Sequence, residues 1–281
     1  MIKIPFITSI FAAKRRLLPS KGNAFPLTVQ RSVRLSASVQ RVTLGGKAVR
    51  GLTGLAPGSY IKLLFDSDGA PITGNDVLSH RPQLRTYTIR QCQPQQCLLD
   101  IDIAIHENNA GPGARWAQQV KIGEQILIRG PGSIKPLHPA HDWLLFAGDL
   151  TSLPAIASHL ESLPETANGD AFIQIPHQDD IISVKHPPGI AVHWLVEGAD
   201  DFAEKVSEVA WRPGQPFVWI ACEFSLMRRL RAFFKVEKGL PNDFLYVSSY
   251  WRRGRSEEQH KADKRRDLAI LNAVNTKVSV E

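Results

Sequence analysis

"RPQLRTYTIRQC", residues 81–92, alternates as a β-strand does but carries Arg85 and Arg90 around a tyrosine and two threonines. A two-residue period places Arg85, Tyr87 and Ile89 on one face and Thr86, Thr88 and Arg90 on the other. A cation beside a flat ring makes that face a candidate ligand platform. The same residues also suit an exposed edge strand whose arginines deter pairing with other chains. The flanking sequence has to decide between the two.

Around this stretch, from about Thr28 to Arg129, lie short strand-like runs: "RLSASVQRVTLGG", "SYIKLLF", "LRTYTIRQ", "CLLDIDIAIH" and "EQILIRG". Gly45-Gly46, Pro57-Gly58 and Asp68-Gly69 punctuate them, so an antiparallel β-barrel or sandwich is expected. After residue 138 the pattern changes. "WLLFA", "AFIQI", "AVHWLV", "FVWIA" and "FLYVS" are continuous apolar runs of the kind that fill strands buried on both faces. Between them, "TSLPAIASHLESL" and "SLMRRLRAFFKVEKG" carry apolar residues at helical spacing, the first with Thr151 or Ser152 as N-cap and the second stopping at Gly239. Strand alternating with helix means a parallel sheet with right-handed crossovers. The expected organisation is an arm (1–27), a β-barrel domain (28–138), an α/β nucleotide-binding domain (139–255) and a C-terminal helix and tail (256–281). Ser256 and Gln259 form the capping pair of that helix, whose lysines and arginines read as a solvated face.

The chain is 281 residues long with a formal charge of +7, 43% hydrophobic and 22% charged, which excludes fibrous and disordered classes. Three cysteines are too few for a disulfide scaffold, and Cys92 and Cys97 lack the spacing and histidine partners of a zinc site, so no metal centre is expected. The segment before Lys14-Arg15-Arg16 is short, contains Pro5 and precedes its basic cluster, so it reads as an arm and not a signal peptide. With no run approaching a membrane span, a cytoplasmic monomer is expected. No acidic residue precedes Asp66, whereas eleven lysines and arginines do. Such a field faces anions, and without a nucleic-acid reader motif a small anionic cofactor or substrate fits it.

Two turns carry chemistry. In "HENNAGPGARWAQQV" the Gly111-Pro112-Gly113 turn leads into a helix whose first amides are free for phosphate, although a plain strand-to-helix turn has the same sequence. Together, Arg85, Tyr87, Thr88 and the amides of Gly113 and Ala114 would hold a flavin dinucleotide. In "FAGDLTSLPAI" Gly148 and Asp149 turn the chain at the carboxyl end of a parallel strand, where open α/β sheets bind ligands.

These residues, with Tyr250-Trp251-Arg252-Arg253-Gly254, resemble in order the siderophore-interacting proteins, which are ferric-siderophore reductases of the ferredoxin reductase superfamily. The resemblance spans about residues 28–267. It implies an FAD-binding barrel followed by a nicotinamide domain, with Arg85, Thr86, Tyr87, Thr88, His106, Gly111, Gly113, Ala114, Arg115 and Trp116 as FAD contacts. Asp149, Thr151 and Ser152 would serve the nicotinamide cofactor, and Tyr87, Thr88, Thr151 and Glu223 would line the place of hydride transfer. A basic rim of Lys62, Arg129, Lys135, Arg252 and Arg253 would receive an anionic ferric siderophore, expected to be a catecholate. Two departures from the family pattern, Leu150 and Cys222, bear on nicotinamide docking.

The implied reaction carries electrons from NAD(P)H through FAD to siderophore-bound Fe(III). A general flavin or ferredoxin reductase on the same domains, or a non-catalytic basic binder, are the rival readings. For the nicotinamide, "AFIQI" runs into "PHQDD" with no cation before Lys185, so Asp179 and Asp180 would repel a 2′-phosphate and favour NADH. A solvated acidic turn is the other reading.

Overall fold

The computed structural model describes residues 24–74, 82–105 and 111–278; residues 1–23 of the arm and His106 lie outside the described residues, and the last residues assigned to the arm, 25–27, belong to the first barrel strand. Six antiparallel strands close a barrel: β1 (Phe25–Ser36), β2 (Val39–Gly45), β3 (Tyr60–Phe65), β4 (Gln83–Gln93), β5 (Leu98–Ala104) and β6 (Gln125–Gly132). Their order is β1-β2-β5-β4-β3-β6, and β1 closes the ring by pairing Phe25 with Ile128 of β6. Alternation fills the interior. Leu27 and Val29, Ile61 and Leu63, Ile101 and Ile103, and Ile126 and Ile128 all point inward and are buried. Helix α1 (Pro112–Gln119) adds Ala114, Trp116 and Ala117 to the same core. The stretch "RLSASVQRVTLGG" is not one strand: it ends β1, turns at Ala37-Ser38 and begins β2.

Strand β4 pairs with β3 on one side and β5 on the other, so it is interior and the edge-strand reading is wrong. The alternation holds for the core residues but not throughout, since Thr88 on the Thr86 face is buried and Arg85 on the Tyr87 face meets the same Glu257 as Thr86. Tyr87 lies opposite Ile61 and packs on the barrel core beside Ile89, while Thr86 is exposed opposite Lys62.

The second half is a five-stranded parallel sheet formed by β7 (Trp143–Asp149), β8 (Asn168–Ile175), β9 (Gly189–Val196), β10 (Pro216–Glu223) and β11 (Leu245–Trp251). The order is β11-β10-β7-β8-β9. Helices α2 (Leu153–Ser162), α3 (Phe202–Ser207) and α4 (Phe224–Ala232) cross between strands, and α5 (Glu257–Val278) follows β11. Of the five apolar runs, those of β7 and β10 are buried along their whole length. β9 and β11 are edges and only partly buried, because neither has a second strand to cover its outer side. Helix α4 stops at Ala232. The chain continues through a wider turn (Phe233–Glu237) to Gly239, whose φ of 64° ends it.

Barrel and sheet share an apolar seam in which Leu35, Val39 and Ala104 of the barrel meet Leu150, Leu153, Ile173 and Ile175 of the α/β half. Leu150, the first departure from the family pattern, is therefore packed inside the seam. No helix among the described residues is long and apolar enough to cross a membrane.

Candidate functional site

At the carboxyl edge of the parallel sheet, Asp149 joins three strand ends. Its Oδ1 accepts from the Thr151 N–H at 2.9 Å and the Thr151 hydroxyl at 2.5 Å. Its Oδ2 accepts from the Glu223 N–H at 3.0 Å and the Trp251 indole N–H at 2.8 Å. The carboxyl is 7% exposed, and burial raises its pKa despite the four donors. Ser152 turns inward as well. Its hydroxyl donates to the Asp149 carbonyl at 3.0 Å and makes no side-chain cap for α2. Asp149 and Ser152 thus build the ledge on which Thr151 stands partly exposed.

Glu223, expected beside the reacting atoms, has both oxygens engaged. Oε2 accepts from the Ser225 N–H at 2.5 Å and the Leu226 N–H at 3.4 Å, capping α4, and Oε1 accepts from the Arg253 N–H at 3.2 Å. Neighbouring Cys222, the second departure, is fully buried, and burial pushes its thiol well above the ordinary value. The described cysteines are all free, and no cluster of metal-binding side chains occurs among the described residues.

On the barrel, β4 and the amino end of α1 come together. A Cβ on Gly113 would lie 1.9 Å from the Tyr87 hydroxyl, so the missing side chain is what lets the phenol reach the first turn of α1. That turn holds no acidic residue, and no side chain caps it from Gly111. Its leading N–H groups have no partner inside the helix, as at any helix start, and they carry the positive end of the helix dipole. Arg85 supplies a guanidinium from the neighbouring strand, and Thr88, 8% exposed, faces away from Tyr87. This donor set fits a diphosphate: uncapped amides, an arginine and no carboxylate on α1 itself. Farther along α1, Trp116 is buried with its indole N–H unpaired, and exposed Arg115 lies against Gly69.

The basic rim divides. Lys62 and Arg129 are partners across β3 and β6 on the outer wall of the barrel, and with exposed Lys135 they form no ion pair among the described residues. Arg252 is held by Asp263 of α5 at 2.6 Å and lies over the Phe224 ring, and Arg253 pairs with Glu197. Two of the five expected cations are thus already paired, Arg252 with a carboxylate that Arg255 and Arg266 share.

The acidic turn after β8 divides too. Asp180 is fully buried and faces the barrel, accepting from the Ser36 hydroxyl at 2.7 Å, the Ser38 N–H at 2.7 Å and the Ser38 hydroxyl at 2.8 Å. Burial alone would raise its pKa, but these donors and the His177 N–H outweigh it and hold the carboxyl below the usual range. It is an interdomain latch and unavailable to a ribose, so that part of the sequence reading is corrected; Asp179 alone is exposed. The latch left no sequence signal, because its serines lie 142 and 144 residues away. The acidic pair Glu257 and Glu258, which meets Arg85, was missed for the same reason.

An antiparallel barrel joined to a parallel five-stranded sheet is a ferredoxin reductase-like fold. A ferredoxin-NADP+ reductase from Plasmodium falciparum shares this fold at 13% identity, with a TM-score of 0.62 over 82% of this chain and 98% of that one. Residues 28–134 match the siderophore-interacting FAD-binding domain and residues 141–254 the siderophore-interacting protein family. The ferric vibriobactin reductase ViuB of Vibrio cholerae is 30% identical over 82% of this chain and 90% of its own length. The NADPH-dependent ferric-chelate reductase of Escherichia coli is 25% identical over 80% and 91%. Among solved structures, the siderophore-interacting protein SipS from Aeromonas hydrophila superposes with a TM-score of 0.78 at 27% identity, over 88% of this chain and 98% of that one. The chain belongs to the siderophore-interacting protein family.

Proposed function

We propose that this chain is a ferric-siderophore reductase that draws electrons from a nicotinamide donor, and that it works as a cytoplasmic monomer. The observation that carries the reading is the uncapped amino end of α1 packed against Tyr87, on the same strand as Arg85 two residues away. FAD, when bound, supplies the conversion of a two-electron hydride donor into single electrons for Fe(III). The chain's own residues bind, orient and screen. Arg85 and the Gly113 and Ala114 amides hold the phosphates, and Tyr87 fills the floor beneath them. Thr151, fixed by Asp149, marks where the nicotinamide enters, and the capped Glu223 shapes that entrance as a positioning residue.

Lys62, Arg129 and Lys135 draw in an anionic, catecholate-type ferric chelate, while Arg252 and Arg253 join only when their carboxylates let go. The attraction is long-ranged and weakens with salt. Asp179, the remaining acid beyond β8, disfavours a 2′-phosphate, which supports NADH over NADPH even though the E. coli relative is named for NADPH.

The test is anaerobic turnover of the FAD-loaded chain with NADH or NADPH and a ferric tris-catecholate, reading Fe(II) with a ferrous trap. Trapped Fe(II) with a higher kcat/KM for NADH is expected, and Lys62→Gln with Arg129→Gln should raise KM for the anionic chelate while sparing a neutral ferric hydroxamate. No trapped iron would overturn the reductase reading, and a preference for NADPH would overturn the role of Asp179.

A further inference from the structure

The first turn of α5 lies on the barrel, although the helix follows the last strand of the sheet. Arg85 Nη1 donates to the Leu84 carbonyl at 2.9 Å and to Glu258 Oε1 at 3.1 Å, and Nη2 donates to Gln83 Oε1 at 2.9 Å. Glu257 Oε2 stands 4.0 Å from the same Nη1, and its Oε1 is 3.4 Å from the Thr86 hydroxyl. The turn is built to stay there. The Ser256 N–H donates to Gln259 Oε1 at 3.0 Å, the Gln259 N–H donates to the Ser256 hydroxyl at 3.2 Å, and Lys261 pairs with Glu257 at 2.6 Å. Further along, Asp267 pairs with Arg231 of α4 at 2.6 Å, so the helix is fastened to the barrel at one end and to α4 lower down.

Arg85 is also the cation assigned to the cofactor's phosphates. A guanidinium that already faces two carboxylates presents a weakened field to a third anion, and like charges within about 4–6 Å of one another oppose each other's ionised forms. We propose that Glu257 and Glu258 belong to the cofactor site as affinity-setting residues: they occupy Arg85 and compete with the FAD diphosphate for it. The proposal rests on the FAD reading above. Binding of the phosphates then works against the α5 contact, and reciprocity requires that a bound FAD loosen the first turn of α5 to the same extent that this turn weakens FAD. The opposite arrangement, in which the carboxylates hold Arg85 in its phosphate-binding pose, would make FAD and α5 tighten together.

The two are separated by titrating flavin-free protein with FAD, followed by flavin fluorescence, in the full chain, in Glu257→Gln with Glu258→Gln, and in the same pair on an Arg85→Ala background. Competition predicts FAD binding roughly two- to fivefold tighter in the double variant, the scale of a partly exposed ion pair, and most of that gain lost without Arg85. Hydrogen exchange on the unaltered chain supplies a readout independent of the variants: amides of residues 257–261 should exchange faster when FAD is saturating. Unchanged or weaker FAD binding in a double variant with native circular dichroism overturns the proposal, as does slower exchange on FAD addition. If the double variant does not fold, the exchange result on the unaltered chain decides. An unaltered chain that takes up no FAD overturns the site reading itself and the proposal with it.

Discussion

Gly113 and Tyr87 show how a single missing side chain shapes the cradle. The phenol oxygen stands 1.9 Å, and the ring carbon that bears it 2.9 Å, from where a Cβ on Gly113 would lie. Alanine there must displace either the ring or the first turn of α1, and overpacking of this kind costs about 1–3 kcal/mol. Gly113→Ala is expected to lower the melting temperature and the flavin content after purification. Adding Tyr87→Phe, which removes the closest atom, should restore part of both. A Gly113→Ala protein with full flavin and unaltered melting would show that the contact has no consequence. Burial raises the pKa of the Tyr87 hydroxyl further above its ordinary value, so the group is neutral throughout the physiological range and adds no charge beside a phosphate.

Among the elements, α4 depends on the residue before it. Glu223 caps its amino end through two backbone N–H groups and also holds the Arg253 N–H, tying β10, α4 and the segment after β11 together. Removing a cap of this type costs about 1 kcal/mol. Glu223→Ala should therefore lower the unfolding free energy from urea titration by about 1 kcal/mol, and with it the midpoint, before any effect on turnover is considered; unchanged stability would show that the cap is dispensable. The pattern in β4 was legible in the sequence because alternation fixes which residues share a face, whatever strands lie alongside. Strand type in the α/β half was legible for a different reason: strands covered on both faces need continuous apolar runs. Edge positions were not, since an apolar run such as "AVHWLV" looks alike in the middle and at the margin of a sheet. Nor could the sequence show that Arg252 and Arg253 are paired, because Asp263 and Glu197 reach them through tertiary packing. Residues joined only by tertiary packing, Glu257, Glu258 and Asp180, left no pattern in the sequence that could assign them their partners.

Across the whole molecule, two buried histidines link stability to pH. His159, 5% exposed among Phe146 and Trp219, and His260, 4% exposed against Ser249, are both lowered to about 4, chiefly by burial. The unfolded chain protonates them near 6.5. Between these values it binds protons the folded chain refuses, so their contribution is complete above pH 6.5 and is lost as pH falls toward 4. Each histidine contributes a slope of up to about 1.4 kcal/mol per pH unit in that window. Urea unfolding at pH 7 and pH 5 should show the loss, and His159→Phe should reduce it; equal stability at both pH values would refute the linkage.

The latch at Asp180 bears on how the chain can be divided. Cutting between residues 138 and 139 would leave one fragment with Ser36, Ser38, Leu35 and Val39 unmatched, and the other with a carboxylate shaped for donors it no longer has beside a bare strip of Leu150, Leu153 and Ile173. The boundary that is so plain in the sequence is therefore a poor place for scissors. The two halves complete each other across this seam, and a recombinant half or a chimera that swaps one of them has to bring the matching side along.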